Sequence, residues 1–71
     1  MEPRRYRIKL WGEENQRWEF YLSHRLLAFG TKAEISSSPS QGTEWPNIVA
    51  AHARLQTVRE FVRLAEIDPI W

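Results

Sequence analysis

The feature that most constrains this chain is an alternation of apolar and polar residues that occurs twice in its first 23 positions. Tyr6, Ile8 and Leu10 alternate with charged residues, and the same period of two returns over 17–23. A period of two is typical of a β-strand with one buried face. We therefore predict strands at about 5–11 and 17–23, joined as an antiparallel hairpin by a polar segment.

The apolar positions also predict how this hairpin pairs. If Leu10 lies opposite Trp18, all the alternating apolar side chains share one face, namely Tyr6, Ile8, Leu10, Trp18, Phe20 and Leu22. The other face then pairs Lys9 with Glu19, and opposite charges across two strands are favourable. Because a shift of one residue would move every side chain of a strand to the other face, we expect this register.

The middle of the chain predicts a third strand followed by a loop. A strand at about 26–31 would follow a tight turn at 24–25 and would add Leu27 and Phe29 to the apolar face. Residues 32–35 fit either an extension of this strand or a short helical turn. Residues 36–42 read Ser-Ser-Ser-Pro-Ser-Gln-Gly, which is typical of a flexible loop.

The last third of the chain carries helix signals. Thr43 can cap a helix and Pro46 is tolerated in a first turn, so we predict a helix at about 45–66 that stops before Asp68 and Pro69. Its apolar residues recur at three- and four-residue spacing and form one stripe: Ile48, Ala51, Leu55, Val58, Val62 and Ala65. The predicted fold class is α+β, with an antiparallel β-meander of two or three strands packed against one long C-terminal α-helix.

Length and composition predict one small domain that contacts a partner. The chain of 71 residues has no cysteine, so we expect a single domain over 1–71 without disulfides. A domain of this size buries only about 60% of the surface of its unfolded chain. Four tryptophans, two tyrosines and three phenylalanines exceed what so small a core encloses, which places some of them at a binding surface.

The sequence offers no arrangement of residues that predicts catalysis. It has no cysteine nucleophile, no serine between glycines and no glycine-rich phosphate loop. His24 and His52 lie on different predicted elements and lack the spacing of metal ligands. We therefore predict a protein that is not an enzyme and that binds neither a metal nor a cofactor.

Surplus apolar residues near the C-terminus predict a protein-binding surface. The candidate residues are Trp45, Leu64, Ile70 and Trp71, with Trp11 as an outlier. Tryptophan is enriched among the residues that dominate protein interfaces. An alternative is that the C-terminal tail folds back and caps the hairpin. The leading interpretation is a non-catalytic protein-binding module, such as a small regulator, inhibitor or accessory subunit, whose partner is another protein or a second copy of itself.

The basic outer face of the hairpin supports a different function. Basic residues interleaved with aromatic ones can contact phosphates and stack on bases. The candidate nucleic-acid-binding residues are Arg4, Arg5, Arg7, Lys9, Arg17, Trp11 and Tyr21. Glu19 lies within this set and would repel phosphate, so an ordinary solvated strand face is the other interpretation. Neither a signal peptide nor an apolar run of roughly 20 residues is present, and we expect a cytoplasmic protein without a membrane partner.

Overall fold

The computed structural model describes residues 1–71 as a five-stranded sheet of antiparallel pairs with one α-helix. The elements follow in the order β1 (Arg5–Gly12), β2 (Arg17–Leu27), β3 (Gly30–Ser36), a 3-10 turn (Pro39–Gln41), β4 (Glu44–Trp45), α1 (Ile48–Val58) and β5 (Ala65–Ile70). With 11 residues, α1 is not long enough to cross a lipid bilayer.

Strand β1 is the centre of the sheet because it pairs along both of its edges. Lys9 and Leu10 pair with β2 on one side and with β5 on the other. Tyr6 and Arg7 pair with β4 and with β5. Strands β2 and β4 therefore share one edge of β1, and β5 occupies the opposite edge. Strand β3 pairs with β2 alone and extends the sheet away from β1.

The pairing of β1 with β2 is shifted by one residue from the predicted register. Leu10 lies opposite Glu19 rather than Trp18, so Glu19 and Tyr21 are the β2 residues that face the helix. Trp18 and Phe20 lie on the opposite side of the sheet, which we call the open face. The prediction of which side chains face the core is confirmed for β1, where Ile8 and Leu10 are buried. It is wrong for β2.

The connection between the strands explains the shift. Gly12 pairs with Arg17, so the hairpin encloses the four residues 13–16, one fewer than the predicted register would enclose. Gln16 adopts a left-handed conformation (φ 55°), and its side-chain amide donates to the carbonyl of Glu13 at 2.6 Å. Turn geometry, which fixes hairpin register, thus overrides the hydrophobic pattern.

A β-bulge at Leu22 reverses the alternation within β2. The register with β3 shifts between Tyr21 and Ser23, which leaves Leu22 as an extra residue. Tyr21 faces the helix before the bulge and His24 faces it afterwards, and the Tyr21 hydroxyl lies 2.5 Å from His24 Nδ1. Thr43 holds the bulge, since its backbone N–H and its hydroxyl donate to the carbonyls of Tyr21 and Leu22 at 3.0 and 2.6 Å.

Helix α1 covers one face of the sheet and completes the core. Asn47 rather than Thr43 is its N-cap, and the Asn47 side chain accepts a hydrogen bond from the backbone N–H of Ala50 at 2.9 Å. The core consists of Ile8, Leu10, Tyr21, Leu55, Val58 and Ala65, with Trp45, Phe61, Val62 and Ile67 packed against it.

The predicted fold class, two or three strands on one long C-terminal helix, is wrong. The helix ends at Val58 instead of continuing to residue 66, and the chain then turns and forms β5. Each residue of Ala65–Ile70 lies opposite a residue of Arg5–Leu10. This pairing satisfies the backbone hydrogen-bonding groups along the second edge of β1, which a longer helix would leave unpaired.

The sequence pattern around β5 fits two kinds of secondary structure. Val62 and Ala65 continue the spacing of the helical stripe, and both still pack in or against the core. Ala65 and Ile67 also alternate with Glu66 and Asp68, which is the period of a strand. Because Ala65 fits both periods and each period adds one further apolar residue, the spacing cannot choose between them, and the unpaired edge of β1 selects the strand.

The cap of α1 gives a direct test of the observed helix start. Replacing Asn47→Ala removes the acceptor for the Ala50 N–H and should lower the free energy of unfolding by about 1 kcal/mol. Asn47→Asp keeps an acceptor at the same place and should retain nearly all of the stability. Urea unfolding of both variants measures the difference, and equal losses for the two would contradict this assignment.

Candidate functional site

The most prominent surface feature is the outer half of the β2–β3 hairpin, residues 23–34, which we call the ribbon. Strand β2 pairs with β1 only up to Phe20. Beyond the bulge it pairs only with β3, from Ser23 opposite Glu34 to Leu27 opposite Gly30. The ribbon therefore lies at the margin of the sheet, in a molecule that measures 42 by 23 by 18 Å.

The end of the ribbon is apolar and exposed to solvent. Leu26 is 84% exposed, Leu27 is 49% exposed and Phe29 is fully exposed. With Ala28 they form a continuous run of four residues, Leu26–Phe29, which we call the tip. Single exposed apolar side chains are common on proteins, whereas contiguous ones mark interaction surfaces.

The conformation of the tip depends on Gly30. The turn lies at Ala28 and Phe29, because Leu27 pairs with Gly30, and the predicted turn at 24–25 is wrong. Gly30 has a φ of 137°, a value that residues other than glycine rarely adopt. This glycine lets the chain reverse without the Asn-Gly or Asp-Gly pair expected of a tight hairpin. The third strand consequently lies at Gly30–Ser36 instead of 26–31.

The ribbon carries an uneven set of charges. Arg25 lies directly opposite Lys32, and like charges in that position destabilise a strand pair. Glu34 offsets Arg25, since its carboxylate lies 3.4 Å from Arg25 Nε. Lys32 makes no ion pair within the chain. The ribbon therefore has one cation without an acidic partner.

The two longer edge strands of the sheet, β3 and β5, differ in how their outer edges are protected. Strand β5 includes Pro69, which has no N–H to donate, and Asp68 is bound to Arg7. Strand β3 contains no proline, and its outer edge pairs with no other strand. Unpaired edges of this kind accept a further strand. The edge of β3, next to the tip, is therefore the less protected of the two.

A groove of about 380 Å³ lies between the ribbon and the end of α1. Its lining comprises His24, Leu26, Thr31, Thr57, Glu60 and Phe61. The His24 ring is tilted against Phe61 with centroids 4.9 Å apart, and Arg54 Nη1 donates to the Tyr21 hydroxyl at 3.3 Å. These contacts attach the base of the ribbon to the helix. Nowhere do three or more His, Cys, Asp or Glu side chains converge as metal ligands would.

The predicted protein-binding residues do not form one surface. Trp45 is half-buried against the core, where its ring stacks on Tyr21 at 6.1 Å. Leu64 directly precedes β5, and Ile70 ends that strand at the far side of the sheet. Trp71 is 65% exposed, and its carbonyl accepts a hydrogen bond from Arg4 Nε. Only Ile70 and Trp71 are neighbours, so the structure divides the set.

The β1 part of the predicted basic face, Arg5, Arg7 and Lys9, lies on the open face, but each of these cations has a partner within the chain. Arg7 Nε lies 2.6 Å from the carboxylate of Asp68. Arg5 Nε lies 3.1 Å from Glu44. Lys9 lies over the ring of Trp18, 4.5 Å from its centroid. Two acidic side chains therefore share this face with the arginines.

The other candidates for nucleic-acid binding are dispersed. Trp11 is on the open face and packs edge-on against Trp18, with centroids 5.6 Å apart. Arg17 is exposed at the turn opposite Gly12, and the alternation of β2 directs it to the helix side. Tyr21 is 1% exposed in the core, so its predicted position on the outer face is wrong and it cannot stack on a base.

The sequence reasoning missed the ribbon as a surface because it assigned Leu27 and Phe29 to the core. A signal was present in the run Leu-Leu-Ala-Phe-Gly, which has no polar residue between its apolar ones and ends in a glycine. Such a run cannot place all its side chains on one face of a strand. It is better explained by a turn with exposed apolar residues.

No family model, no curated protein and no solved structure matches the chain.

The exposure of the tip predicts that it contributes little to stability. Leu26→Ser and Phe29→Ser should each change the free energy of unfolding by no more than about 0.5 kcal/mol, because neither side chain is removed from water on folding. Leu55→Ala, at a position 3% exposed, should cost about 2–5 kcal/mol. Urea unfolding measures all three. A loss at the tip comparable to that at Leu55 would show that these residues are packed.

Proposed function

We propose that this protein is a non-catalytic protein-binding module and that the tip of the ribbon is its principal contact. The observation that carries the proposal is the exposure of Leu26 and Phe29 at 84% and 102%. Leu26 and Phe29 gain almost nothing from the fold of their own chain, and Leu27 beside them is only half covered. A partner with an apolar depression would remove them from water, and each would contribute about 1.5–3 kcal/mol on full burial.

The attachment of the ribbon supports a role in recognition. Tyr21, His24 and Arg54 are linked by hydrogen bonds at its base, and Phe61 packs on His24. A hairpin held at its base presents its end in a defined position, which reduces the entropy lost on binding. The tip and its support thus combine an apolar anchor with a preorganised scaffold.

Nucleic-acid binding has less support from the same geometry. Phosphate contacts need cations that are free to approach the backbone of the nucleic acid. Arg5 and Arg7 already bind Glu44 and Asp68, and these carboxylates would face the phosphates. The tip, which is exposed and apolar, carries no charge at all. An apolar protein partner therefore fits the molecule better.

A comparative pull-down tests the proposal. The double variant Leu26→Ser/Phe29→Ser should lose partners that the unchanged protein retains, since it removes the apolar anchor without affecting the core. Val49→Ser is the matched control because Val49 is also apolar and 75% exposed, but lies on α1. Partners lost with the tip variant and kept with the control support the tip as the contact.

Salt dependence distinguishes the two classes of partner. Binding through an apolar tip should change little between low and moderate salt, whereas phosphate binding falls steeply. If the tip variant retains every partner of the unchanged protein, the proposal fails. A different result would assign binding to the basic open face. In that case nuclease or added salt would release the partners, and the tip variant would retain them as well as the unchanged protein does.

A further inference from the structure

We infer that the edge of β3 binds a second copy of this chain, with the two β3 strands antiparallel and Ala33 on the two-fold axis. The inference rests on the proposed function and names its partner. Three observations carry it, which are the unpaired edge of β3, the absence of an ion-pair partner for Lys32 and the order of charges along the strand. Together they identify both the binding partner and the register in which the two strands pair.

The geometry of strand addition limits how two copies can meet. An antiparallel pair of identical edges is related by a two-fold axis perpendicular to the sheet, so both helices lie on the same side. Ile35 pairs with Tyr21 and Ala33 with His24, both of which face the helix. Lys32 and Glu34 therefore project from the open face. Only residues on the same face of the sheet can lie opposite one another. The axis must therefore lie midway between the two copies of one residue, which we describe as an axis through that residue.

The charges of β3 select one of the central registers. An axis through Lys32 sets the two lysines against each other, and an axis through Glu34 does the same with the two glutamates. An axis through Ala33 places each Lys32 opposite the Glu34 of the second copy. Like charges directly opposite are unfavourable and opposite charges are favourable. The strand is thus self-complementary in this register, and the neighbouring registers are repelled.

The same register supplies what the ribbon lacks on its own. Lys32 has Arg25 as its neighbour across the hairpin and no acidic partner. Glu34 of the second copy would lie on its other side and supply the acidic neighbour that Lys32 lacks. On the helix side, Thr31 would lie opposite Ile35 of the second copy, and Ile35 is 38% exposed in the single chain.

The tip forms part of this contact. In the register centred on Ala33, Gly30 lies opposite Ser36 of the second copy. The tip, which directly precedes Gly30, then extends beside the segment that follows β3 in that copy. The backbone would align the two copies, and the tip would lie against residues 37–41, which are polar except for Pro39.

Cysteine cross-linking tests the position of the axis, and the chain has no cysteine of its own. In Ala33→Cys the two introduced thiols face each other across the axis, with Cα atoms about 4.5–5.5 Å apart, within the range of a disulfide. The matched control is Thr31→Cys on the same face, whose two copies would lie about 14 Å apart. Mild oxidation should yield a covalent dimer from Ala33→Cys at least about tenfold faster than from the control.

Charge exchange tests the register independently. In each of the variants Lys32→Glu and Glu34→Lys, positions 32 and 34 carry the same charge, so both cross-strand pairs of the dimer become repulsive. Self-association measured by sedimentation should weaken about tenfold. A mixture of the two variants restores both attractive pairs, so it should form a heterodimer at the strength of the unchanged protein. Circular dichroism of each variant checks that the ribbon still folds.

The outcomes separate this inference from the function on which it rests. Equal cross-linking of Ala33→Cys and Thr31→Cys, or a mixture of charge variants that stays monomeric, overturns the dimer. If the unchanged protein is monomeric at all concentrations while its tip variant still loses another protein in the pull-down, the proposed function stands with a different partner. If neither self-association nor tip-dependent binding occurs, both fail.

Discussion

Strand β1 determines the rest of the structure because it pairs with three of the other four strands. Its residues Lys9 and Leu10 have β2 on one side and β5 on the other, and Tyr6 and Arg7 have β4 and β5. A strand paired along both edges leaves few backbone groups without a partner. This requirement explains why the end of the chain is a strand and not the last turns of a helix.

The division of one edge of β1 between β2 and β4 creates the ribbon. Strand β4 pairs at Tyr6 and Arg7, so β2 leaves β1 after Phe20 and continues with β3 alone. Thr43, just before β4, holds the bulge at Leu22 through both of its hydrogen bonds. The projecting hairpin is therefore a consequence of how the central sheet is closed, and it is not a loose appendage.

The two faces of the sheet serve different purposes. The helix side forms the core, while the open face stabilises itself with cations stacked on aromatic rings and bound to carboxylates, as with Arg7 between Phe20 and Asp68. These contacts satisfy the open face within one chain. On the ribbon, by contrast, the apolar tip is exposed and Lys32 has no ion-pair partner. We therefore propose the ribbon as the recognition surface.

The sequence by itself determined the two N-terminal strands, their antiparallel hairpin and the inward residues of β1, because alternation over eight residues is a local property. It also identified the helical stripe from Ala51 to Val58. Tertiary structure decided the register of the hairpin, the bulge, the turn at Ala28 and Phe29, and the strand at Ala65–Ile70. Each of these depends on a long-range partner or on a single backbone conformation, at Gln16 or Gly30. The candidate site was missed for a related reason: the exposure of the tip follows from where β2 loses its partner β1, and the apolar run before Gly30, the one local signal, was assigned to the core.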